Sequence, residues 1–481
     1  MNNKKAVIIM LVFLSIVLLS LELYFFNYTV DDNYEGFRFS KNLVKGYGLN
    51  FNPLNEGDKP FESYSNFLSI FISAIGVKLG NVELWIKLFN MFFSILSLFG
   101  LYKLANLIIK DKFYSLLPPL FLAITLPFAI AAVNGFETVF FTFLLIMAFY
   151  FYIKEESNYN LFPISAIFFL IMALLKIEGA IPFAVAFIFR SYKLYKEKFV
   201  NIKMYITWLL LFSVIYLTYF GWRLWYYGNL FPNPVYTKSL PLGGLGYIFT
   251  FFSFILPFII LGIFSFNKKL DFIKIFLFSI ILFRILSIIN IDPIMGEYYR
   301  FFIPILPIFY LFAADGLKEI NLNKFYITIL VLVLIVFLLN PISFKNMRLE
   351  TNAYVQNMHV YKEVGIWLKD NVPENSLLVV DLGIVPYYSE LPTITPWGLH
   401  DKYLAHNGTD LNYILSKKPE VFVLFRDINK YNPGSFKENM YEFHTLNKRE
   451  DFQRDYSLVK TFETYNKGGL SIYRRINNET S

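Results

Sequence analysis

Residues 6–26 read AVIIMLVFLSIVLLSLELYFF, an apolar run that follows a basic start with two adjacent lysines. A helix of about 20 apolar residues crosses the hydrocarbon core of a bilayer. The run is longer than a signal-peptide core and no small-x-small cleavage site follows it, so we interpret it as a retained membrane span. The composition agrees, because 56% of the 481 residues are hydrophobic and 17% are charged, against about 45–50% and about 25% in soluble domains.

Apolar segments recur until residue 339 and predict an α-helical polytopic membrane domain with about eleven spans. With a cytoplasmic N-terminus, nearly every Lys/Arg cluster between spans falls on the cytoplasmic side, as the positive-inside rule requires. Residues 65–79 are also apolar, but a crossing there would reverse this arrangement, so we expect a re-entrant or surface-lying helix; the alternative is one more span, with a different segment failing to cross. The ten segments after the first are residues 83–109, 113–132, 138–153, 161–175, 180–189, 204–220, 247–266, 272–289, 301–313 and 325–339.

The sequence changes character after residue 340, where long apolar runs give way to short ones. We predict a membrane domain at 1–340, with a first outer loop at 29–64, and an extracytoplasmic α/β domain at 341–481. The chain has no cysteine and therefore no disulfide or cysteine-ligated metal. Inner loops explain its net charge of +8, so we expect no nucleic-acid partner. Helical spacing at 355–368 and strand-like runs at 377–381, 421–425, 458–462 and 470–473 support the α/β assignment.

With this topology the densest polar sequences lie on the outer face, beginning with DDNYEGFR at 31–38. Charged residues at the ends of membrane helices face a cavity more often than lipid. Carboxylates and cations that converge on one cavity suit a reaction of an anionic, lipid-borne substrate. Besides the two aspartates, the candidate residues are Tyr34, Arg38, Glu62, Glu137, Lys176, Glu178, Arg223, Asn233, Lys238 and Arg300.

The two adjacent aspartates receive different interpretations. Asp32 and Glu35 have capping-box spacing, so Asp32 either begins a short helix or takes part in the chemistry. Asp31 lies just before that helix and has no such local role, so we predict that Asp31 is the general base. Paired carboxylates also suit Mg²⁺ or Mn²⁺, and a divalent cation at this pair is left open.

Each candidate cation also has a structural interpretation. Arg38 lies three residues after an acidic residue and could pair with it on a helix surface. Arg223 and Lys238 could anchor span ends at the membrane interface. Arg300 begins an outer helix, where the helix dipole disfavours a cation, and this favours a functional role.

These motifs resemble a known family. DDxYxxxR at 31–38 and NLVxGxGLxFN at 42–52 are similar to the first outer loop of GT-C-fold glycosyltransferases. Within this fold they resemble the mycobacterial terminal β-arabinofuranosyltransferase family with its uncharacterised bacterial and archaeal relatives. The resemblance continues in order along most of the chain, in ESYSNF at 62–67, NGFET at 134–138, LKIEG at 175–179, YYGNLFPN at 226–233, YRF at 299–301, GIVPYY at 383–388 and GLHD at 398–401.

The resemblance implies inverting transfer of a sugar from a polyprenyl-phosphate carrier to a hydroxyl of a glycan or glycolipid, at the outer face of the plasma membrane. Asp31, with Asp32 beside it, would deprotonate the acceptor hydroxyl. The leaving phosphate would be stabilised by Arg38, Arg223, Lys238 and Arg300. The nearest relatives imply a pentosyl donor such as arabinofuranose. The residues expected to contact the substrates are Tyr34, Glu62, Glu137, Lys176, Glu178 and Asn233.

Two other classes of function share the membrane architecture. A transporter or flippase for lipid-linked sugars would also hold a cavity, but transporters place charges at the membrane midplane in repeated halves, and no repeat is visible here. A non-catalytic subunit for envelope-glycan assembly would use the C-terminal domain for docking, and the aspartate pair argues against it. Glu137 and Glu178 could equally form structural ion pairs, since buried carboxylates near a membrane need partners.

Overall fold

The structure, a computed structural model of the chain, describes residues 3–53, 60–266, 271–293, 296–426, 438–465 and 468–476. Apolar helices form a bundle up to residue 339, and a smaller domain follows. The helices of the bundle and its loops are α1 (Asn3–Tyr24), α2 (Asn33–Val44), α3 (Phe67–Lys78), α4 (Val82–Ile109), α5 (Leu117–Ala123), α6 (Leu126–Val133), α7 (Thr138–Ser157), α8 (Ile164–Leu175), α9 (Ala180–Lys196), α10 (Ile202–Tyr227), α11 (Asn233–Thr237), α12 (Leu245–Ile263), α13 (Phe272–Ile288), α14 (Leu306–Glu319) and α15 (Lys324–Leu338).

Seven of the described helices are long and apolar enough to cross a membrane, and an eighth span results if α5 and α6, bent by 56°, count as one. Each of the eleven expected segments contains a helix, but α8, α9 and α13 have only 12, 17 and 17 residues. The count of eleven spans is therefore not confirmed. The segment at 65–79 forms α3, whose 12 residues extend only about 18 Å, too short to cross alone.

Burial differs sharply between helices of the bundle. Every residue of α14 from Leu306 to Leu317 is buried, packed among α5 and α12. In contrast, only four of the 26 residues of α10 are buried although the helix is apolar. Apolar side chains on the outside of a helical bundle need a hydrocarbon solvent, so α10 has the pattern of a lipid-facing helix and α14 that of a central one.

The C-terminal domain is a mixed five-stranded sheet with helices around it. The strand order is β2-β1-β3-β5-β4, with β1 parallel to β2 and β3, and β5 antiparallel to β3 and β4. Its elements are α16 (Pro341–Asn371), β1 (Leu378–Val380), α17 (Ile384–Ser389), β2 (Thr393–Ile394), α18 (Lys402–Asn407), α19 (Leu411–Ser416), β3 (Val421–Phe425), α20 (Glu438–His444), α21 (Glu450–Asp455), β4 (Tyr456–Glu463) and β5 (Gly469–Arg475).

All four strands predicted from the sequence are confirmed, and the helical pattern at 355–368 lies within α16. The strand β2 was not predicted. The strand has only two residues and lies between Pro392 and Pro396. A short segment bounded by prolines predicts a loop, because proline cannot donate a hydrogen bond to a sheet.

Candidate active site

A cavity of about 420 Å³ lies at the end of the bundle that carries the first loop. This volume suits a small-molecule site. Its walls come from the start of α2, the segment 63–73 leading into α3, the turns around Glu137 and Glu178, and the segments 234–239 and 284–292. Leu399 of the C-terminal domain completes the lining. Residues far apart in the sequence therefore meet in one place, as expected for the polar loops.

The cavity lining mixes both signs of charge. Lys238 Nζ lies 3.0 Å from an Asp32 carboxylate oxygen. Lys176 Nζ lies 3.2 Å from Glu137 and 3.4 Å from Glu178. Burial acts to raise the pKa of Glu178, but the neighbouring Lys176 and an arginine lower it to about 2. Glu178 is therefore a counter-ion at neutral pH rather than a base.

Arg300 differs from the other cations of the lining. Its guanidinium lies over the Phe136 ring, with Cζ 3.6 Å from the ring centroid. Its buried Nε has no hydrogen-bond partner among the described residues. A buried cationic donor without a partner is costly, so this group is available to an anionic ligand in the cavity.

Asp31 and Asp32 point in different directions. Asp32 lines the cavity, and its side chain is 18% exposed. Asp31 is buried, and its two carboxylate oxygens accept hydrogen bonds from the backbone N–H groups of Gly383 and Ile384, at 2.7 and 2.9 Å. It is not among the residues that line the cavity. The described geometry therefore does not support Asp31 as the general base.

Burial raises the pKa of Asp31 to about 8, opposed by the hydrogen bonds from Gly383 and Ile384 and reinforced by the charges of Asp32 and Glu35. Such a pKa would suit a general base at neutral pH. The geometry favours a structural role instead, because both oxygens already have backbone partners and Asp31 is not among the residues that line the cavity.

Asp32 occupies the N-cap position of α2, as its spacing predicted, but the capping box is not formed. The helix α2 begins at Asn33, and the Asp32 side chain makes no capping hydrogen bond. The entry of the helix is fixed instead by Asn33, whose side-chain amide donates to the carbonyls of Val30 and Asn134 at 3.0 and 2.8 Å. The carboxylate of Asp32 is therefore not used by the helix and pairs with Lys238 in the cavity.

Arg38 is a structural residue, which corrects its prediction as a phosphate ligand. Its guanidinium donates to the carbonyl of Phe51 at 3.1 Å and to carbonyls of the C-terminal domain at Pro386, Glu390 and Leu391. Burial lowers its pKa to about 10. The expected pair with Glu35 is replaced by this set of carbonyls, which joins the first loop to the segment around α17.

Arg223 and Glu62 also have structural positions rather than the predicted substrate contacts. They form a buried two-point pair, with Nε and Nη2 of the arginine 2.8 and 2.6 Å from the two carboxylate oxygens. Nη1 of Arg223 donates to the carbonyl of Leu230. Neither residue lines the cavity described above. A buried, charge-assisted hydrogen bond is strong, and the one from Arg223 Nε to Glu62 fixes the chain between the first loop and the end of α10.

Tyr34 and Asn233 are likewise placed outside the cavity lining. Tyr34 packs against the rings of Tyr387 and Tyr388 in the apolar cluster between the first loop and the C-terminal domain. Asn233 is buried, and its side chain donates to the carbonyl of Leu399 at 3.0 Å. Of the twelve predicted site residues, the cavity brings together Asp32, Glu137, Lys176, Glu178, Lys238 and Arg300.

Sequence reasoning missed three residues at the site. Arg284 lines the cavity and lies 3.6 Å from Glu178, and a charge inside an apolar run was the available signal. Glu35 also lines it. His400 is buried and stacked on Phe51 with ring centroids 3.4 Å apart, and its Nε2 lies 3.6 Å from a Glu35 oxygen. No spacing pattern predicts this stacking, because it joins the first loop to a distant domain.

The described residues do not form a divalent-cation site. No three of their His, Cys, Asp or Glu side chains come together as a metal-binding group. The carboxylates of Asp31 and Asp32 do not converge either, since Asp31 is occupied by the backbone of Gly383 and Ile384. The possible Mg²⁺ or Mn²⁺ at this pair stays a prediction.

Comparison with known proteins gives a fold but no close relative. No curated protein sequence matches the chain. A family model described as a domain of unknown function (DUF8728) matches residues 345–475, within the C-terminal domain.

Two kinds of solved structure are similar over almost the whole chain. ArnT from Cupriavidus metallidurans bound to undecaprenyl phosphate has a TM-score of 0.58 at 11% identity, covering 97% of this chain and 97% of that one. The archaeal oligosaccharyltransferase AglB from Archaeoglobus fulgidus, in complex with an inhibitory peptide and a dolichol-phosphate, has a TM-score of 0.61 at 12% identity, covering 100% and 75%. The resemblance to mycobacterial arabinofuranosyltransferases stays a prediction. The chain has the GT-C fold that these structures share.

Proposed function

We propose that the chain is a membrane glycosyltransferase that moves a sugar from a polyprenyl-phosphate carrier to a hydroxyl of a glycan or glycolipid. One observation carries the proposal: a single cavity holds the paired Asp32 and Lys238 together with Arg300, whose buried Nε has no partner among the described residues. A carboxylate and unsatisfied cationic donors are the two components that transfer from a phosphate leaving group needs.

In the proposed reaction Asp32 is the general base. It takes the proton of the acceptor hydroxyl as the oxygen attacks the anomeric carbon on the face opposite the phosphate. The bond from the anomeric carbon to the phosphate oxygen breaks, and polyprenyl phosphate leaves with the electron pair, which inverts the configuration. The placement of Asp32 in the cavity lining supports this role over that of its neighbour Asp31.

Arg300 and Lys238 are the proposed ligands of the leaving phosphate. Arginine offers a planar set of donors that suits phosphate, and Arg300 has a buried donor that no described residue uses. Lys238 reaches the same cavity beside Asp32. Arg284 and Lys176 are held by the carboxylates of Glu178 and Glu137 and set the local charge.

The carrier is proposed to be a polyprenyl phosphate because structures of the same fold were solved with undecaprenyl phosphate and with a dolichol-phosphate. The cavity is proposed to open at the outer face of the plasma membrane. In support, the ends of α7 and α9 away from the cavity carry Lys154, Lys193 and Lys196, where the positive-inside rule expects basic residues.

The test is donor turnover by the purified protein in nanodiscs. Synthetic polyprenyl-phospho-sugars, beginning with arabinofuranose and other pentoses and continuing to hexoses, are incubated together with glycan and glycolipid acceptors, with the unaltered protein and with Asp32→Asn. We expect the unaltered protein to release polyprenyl phosphate from at least one donor and the variant to lose this activity. Tight binding of a donor without any turnover would contradict the proposal and favour a transporter.

A further inference from the structure

A second recess, here called the tyrosine groove, lies beside the cavity. Its volume is about 700 Å³, and it is formed by the start of α12, the turn at 296–299 and the first half of α16. The segment that ends in Arg300 separates the two, since the residues before Arg300 line the groove while Arg300 itself lines the cavity. The groove is therefore a neighbour of the proposed reaction site and not a part of it.

The lining of the groove has an unusual composition. Its described residues include five tyrosines and two glutamates but no lysine or arginine. The cavity, in contrast, is lined by four cations. A site without cations gives no stabilisation to a phosphate, so the anionic carrier is not its ligand.

The remaining chemistry favours an uncharged polyol. Tyrosine presents an apolar ring face with a polar edge, which matches the apolar face and the hydroxyls of a sugar ring. Carboxylates are strong acceptors for such hydroxyls. Tyr28 donates to Glu297 at 3.0 Å, and Tyr298 donates to Glu350 at 3.2 Å. Each of these bonds uses one carboxylate oxygen, and a carboxylate can accept about four hydrogen bonds.

The backbone of the turn is strained. Tyr298 and Tyr299 have φ angles of 50° and 61°, which are uncommon for large side chains. Conformations of this kind are costly and cluster at functional sites. Here the strained turn brings Tyr298 onto Tyr28, with ring centroids 6.1 Å apart, and within reach of Glu350 on α16.

The groove is connected to the catalytic side through single residues. The hydroxyl of Tyr354 accepts the backbone N–H of Asp31 at 2.9 Å, and the next residue, Asp32, lines the cavity. The backbone N–H of Arg300 donates to the carbonyl of Glu297 at 3.1 Å. The lining of the groove therefore includes Tyr354, which is hydrogen-bonded to the residue before the proposed base, and Tyr299, which directly precedes the proposed phosphate ligand.

We propose that the tyrosine groove binds the neutral saccharide part of the acceptor, next to the cavity that holds the donor. The assignment of this saccharide to the acceptor rests on the proposed function. The binding of a neutral saccharide does not. The groove contributes aromatic faces and carboxylates for sugar hydroxyls, and the cavity contributes cations for the phosphate.

The test is a binding assay with the full-length protein in nanodiscs. A printed array presents neutral linear oligosaccharides of pentoses and hexoses beside polyanionic oligosaccharides of equal length. We expect binding to neutral members, and Tyr298→Ala and Glu350→Gln each to weaken it about tenfold. The matched controls are Tyr441→Ala and Glu450→Gln, at exposed positions of the C-terminal domain, and they should bind like the unaltered protein. Thermal unfolding of each variant checks that its fold is intact.

Three outcomes would overturn the proposal: no neutral saccharide bound at millimolar concentration, a preference for the polyanionic members, or unchanged binding in both folded groove variants. The proposed function is judged separately by donor turnover. If the protein consumes donor but binds no neutral saccharide, only the groove inference is contradicted. If the protein binds saccharides but consumes no donor, the saccharide site is supported and the proposed glycosyltransferase function is contradicted.

Discussion

The two faces of α2 differ in what their polar groups contact. On the face toward the C-terminal domain, Arg38 donates to four carbonyls and Lys41 pairs with Glu390 at 2.9 Å. On the other face, Glu35 and the preceding Asp32 line the cavity. The alternation follows the helical period, because residues 34, 38, 41 and 45 share one side of a helix and 32, 35 and 39 share another.

This contrast teaches how to separate structural from functional charges in the first loop. A buried polar group that is fully satisfied stabilises one arrangement of the chain. A group that lines a cavity without full satisfaction is available to a ligand. Asp31 and Arg38 belong to the first class, Asp32 and Arg300 to the second, although all four have the residue types that a reaction with an anionic substrate needs.

The largest expected effect is the difference in glycosyl transfer between two separate variants, Asp32→Asn and Asp31→Asn. Asp32→Asn should lower glycosyl transfer by about 10²–10⁴-fold, the usual loss when a general base is removed. Asp31→Asn should keep transfer within a few-fold while the protein stays folded. Steady-state rates with the best donor measure both. A collapse of transfer in folded Asp31→Asn with activity retained in Asp32→Asn would reverse the assignment.

Replacing Arg300 is expected to have the next largest effect. Arg300→Gln should lower kcat/KM for donor by about 100-fold, because loss of one donor to developing negative charge typically costs this much. The matched control is Arg454→Gln, at an exposed position of the C-terminal domain, which should behave like the unaltered protein. Equal loss in both variants would show that Arg300 has no special role.

Arg38 tests the structural face of α2 through stability instead of rate. Arg38→Met should lower the free energy of unfolding by about 3 kcal/mol, since it leaves buried carbonyls without a donor. Limited proteolysis should then release the C-terminal domain faster, because those carbonyls belong to Pro386, Glu390 and Leu391. Unchanged stability together with loss of donor affinity would restore Arg38 as a phosphate ligand.

The last expected effect concerns the pH dependence of stability, which comes from Asp31. Its pKa is raised by burial from 3.8 to about 8, so the folded state binds a proton that the unfolded state has lost. Stability therefore falls as the pH rises from about 4 to about 8 and is level above that. Thermal unfolding of Asp31→Asn should lack this slope. An identical slope in the unaltered protein and the variant would assign it to other groups.

The sequence predicted much of the fold because its strongest signals are local. The length of the apolar runs predicted the membrane helices. Short apolar runs bounded by turn residues predicted four of the five strands. The gathering of polar loops at one end of the bundle was also predicted, and Glu137, Lys176, Lys238 and Arg300 do line one cavity.

What could not be predicted is which neighbour each charge would meet. The assignment of Asp31 and Arg38 to structure depends on backbone groups of Gly383 and Pro386, more than 300 residues later in the chain. No spacing rule within the first loop contains that contact. The same holds for the Arg223–Glu62 pair, which two separate motifs form together.

The most direct test of the account is the accessibility of the two aspartate positions. The chain has no cysteine, so Asp31→Cys and Asp32→Cys each introduce a single thiol. In nanodiscs, we expect a membrane-impermeant methanethiosulfonate to label position 32 at least tenfold faster than position 31, and undecaprenyl phosphate to protect position 32. Equal labelling of both positions, or labelling of position 32 that the lipid phosphate does not slow, would contradict the separation of a structural and a catalytic aspartate.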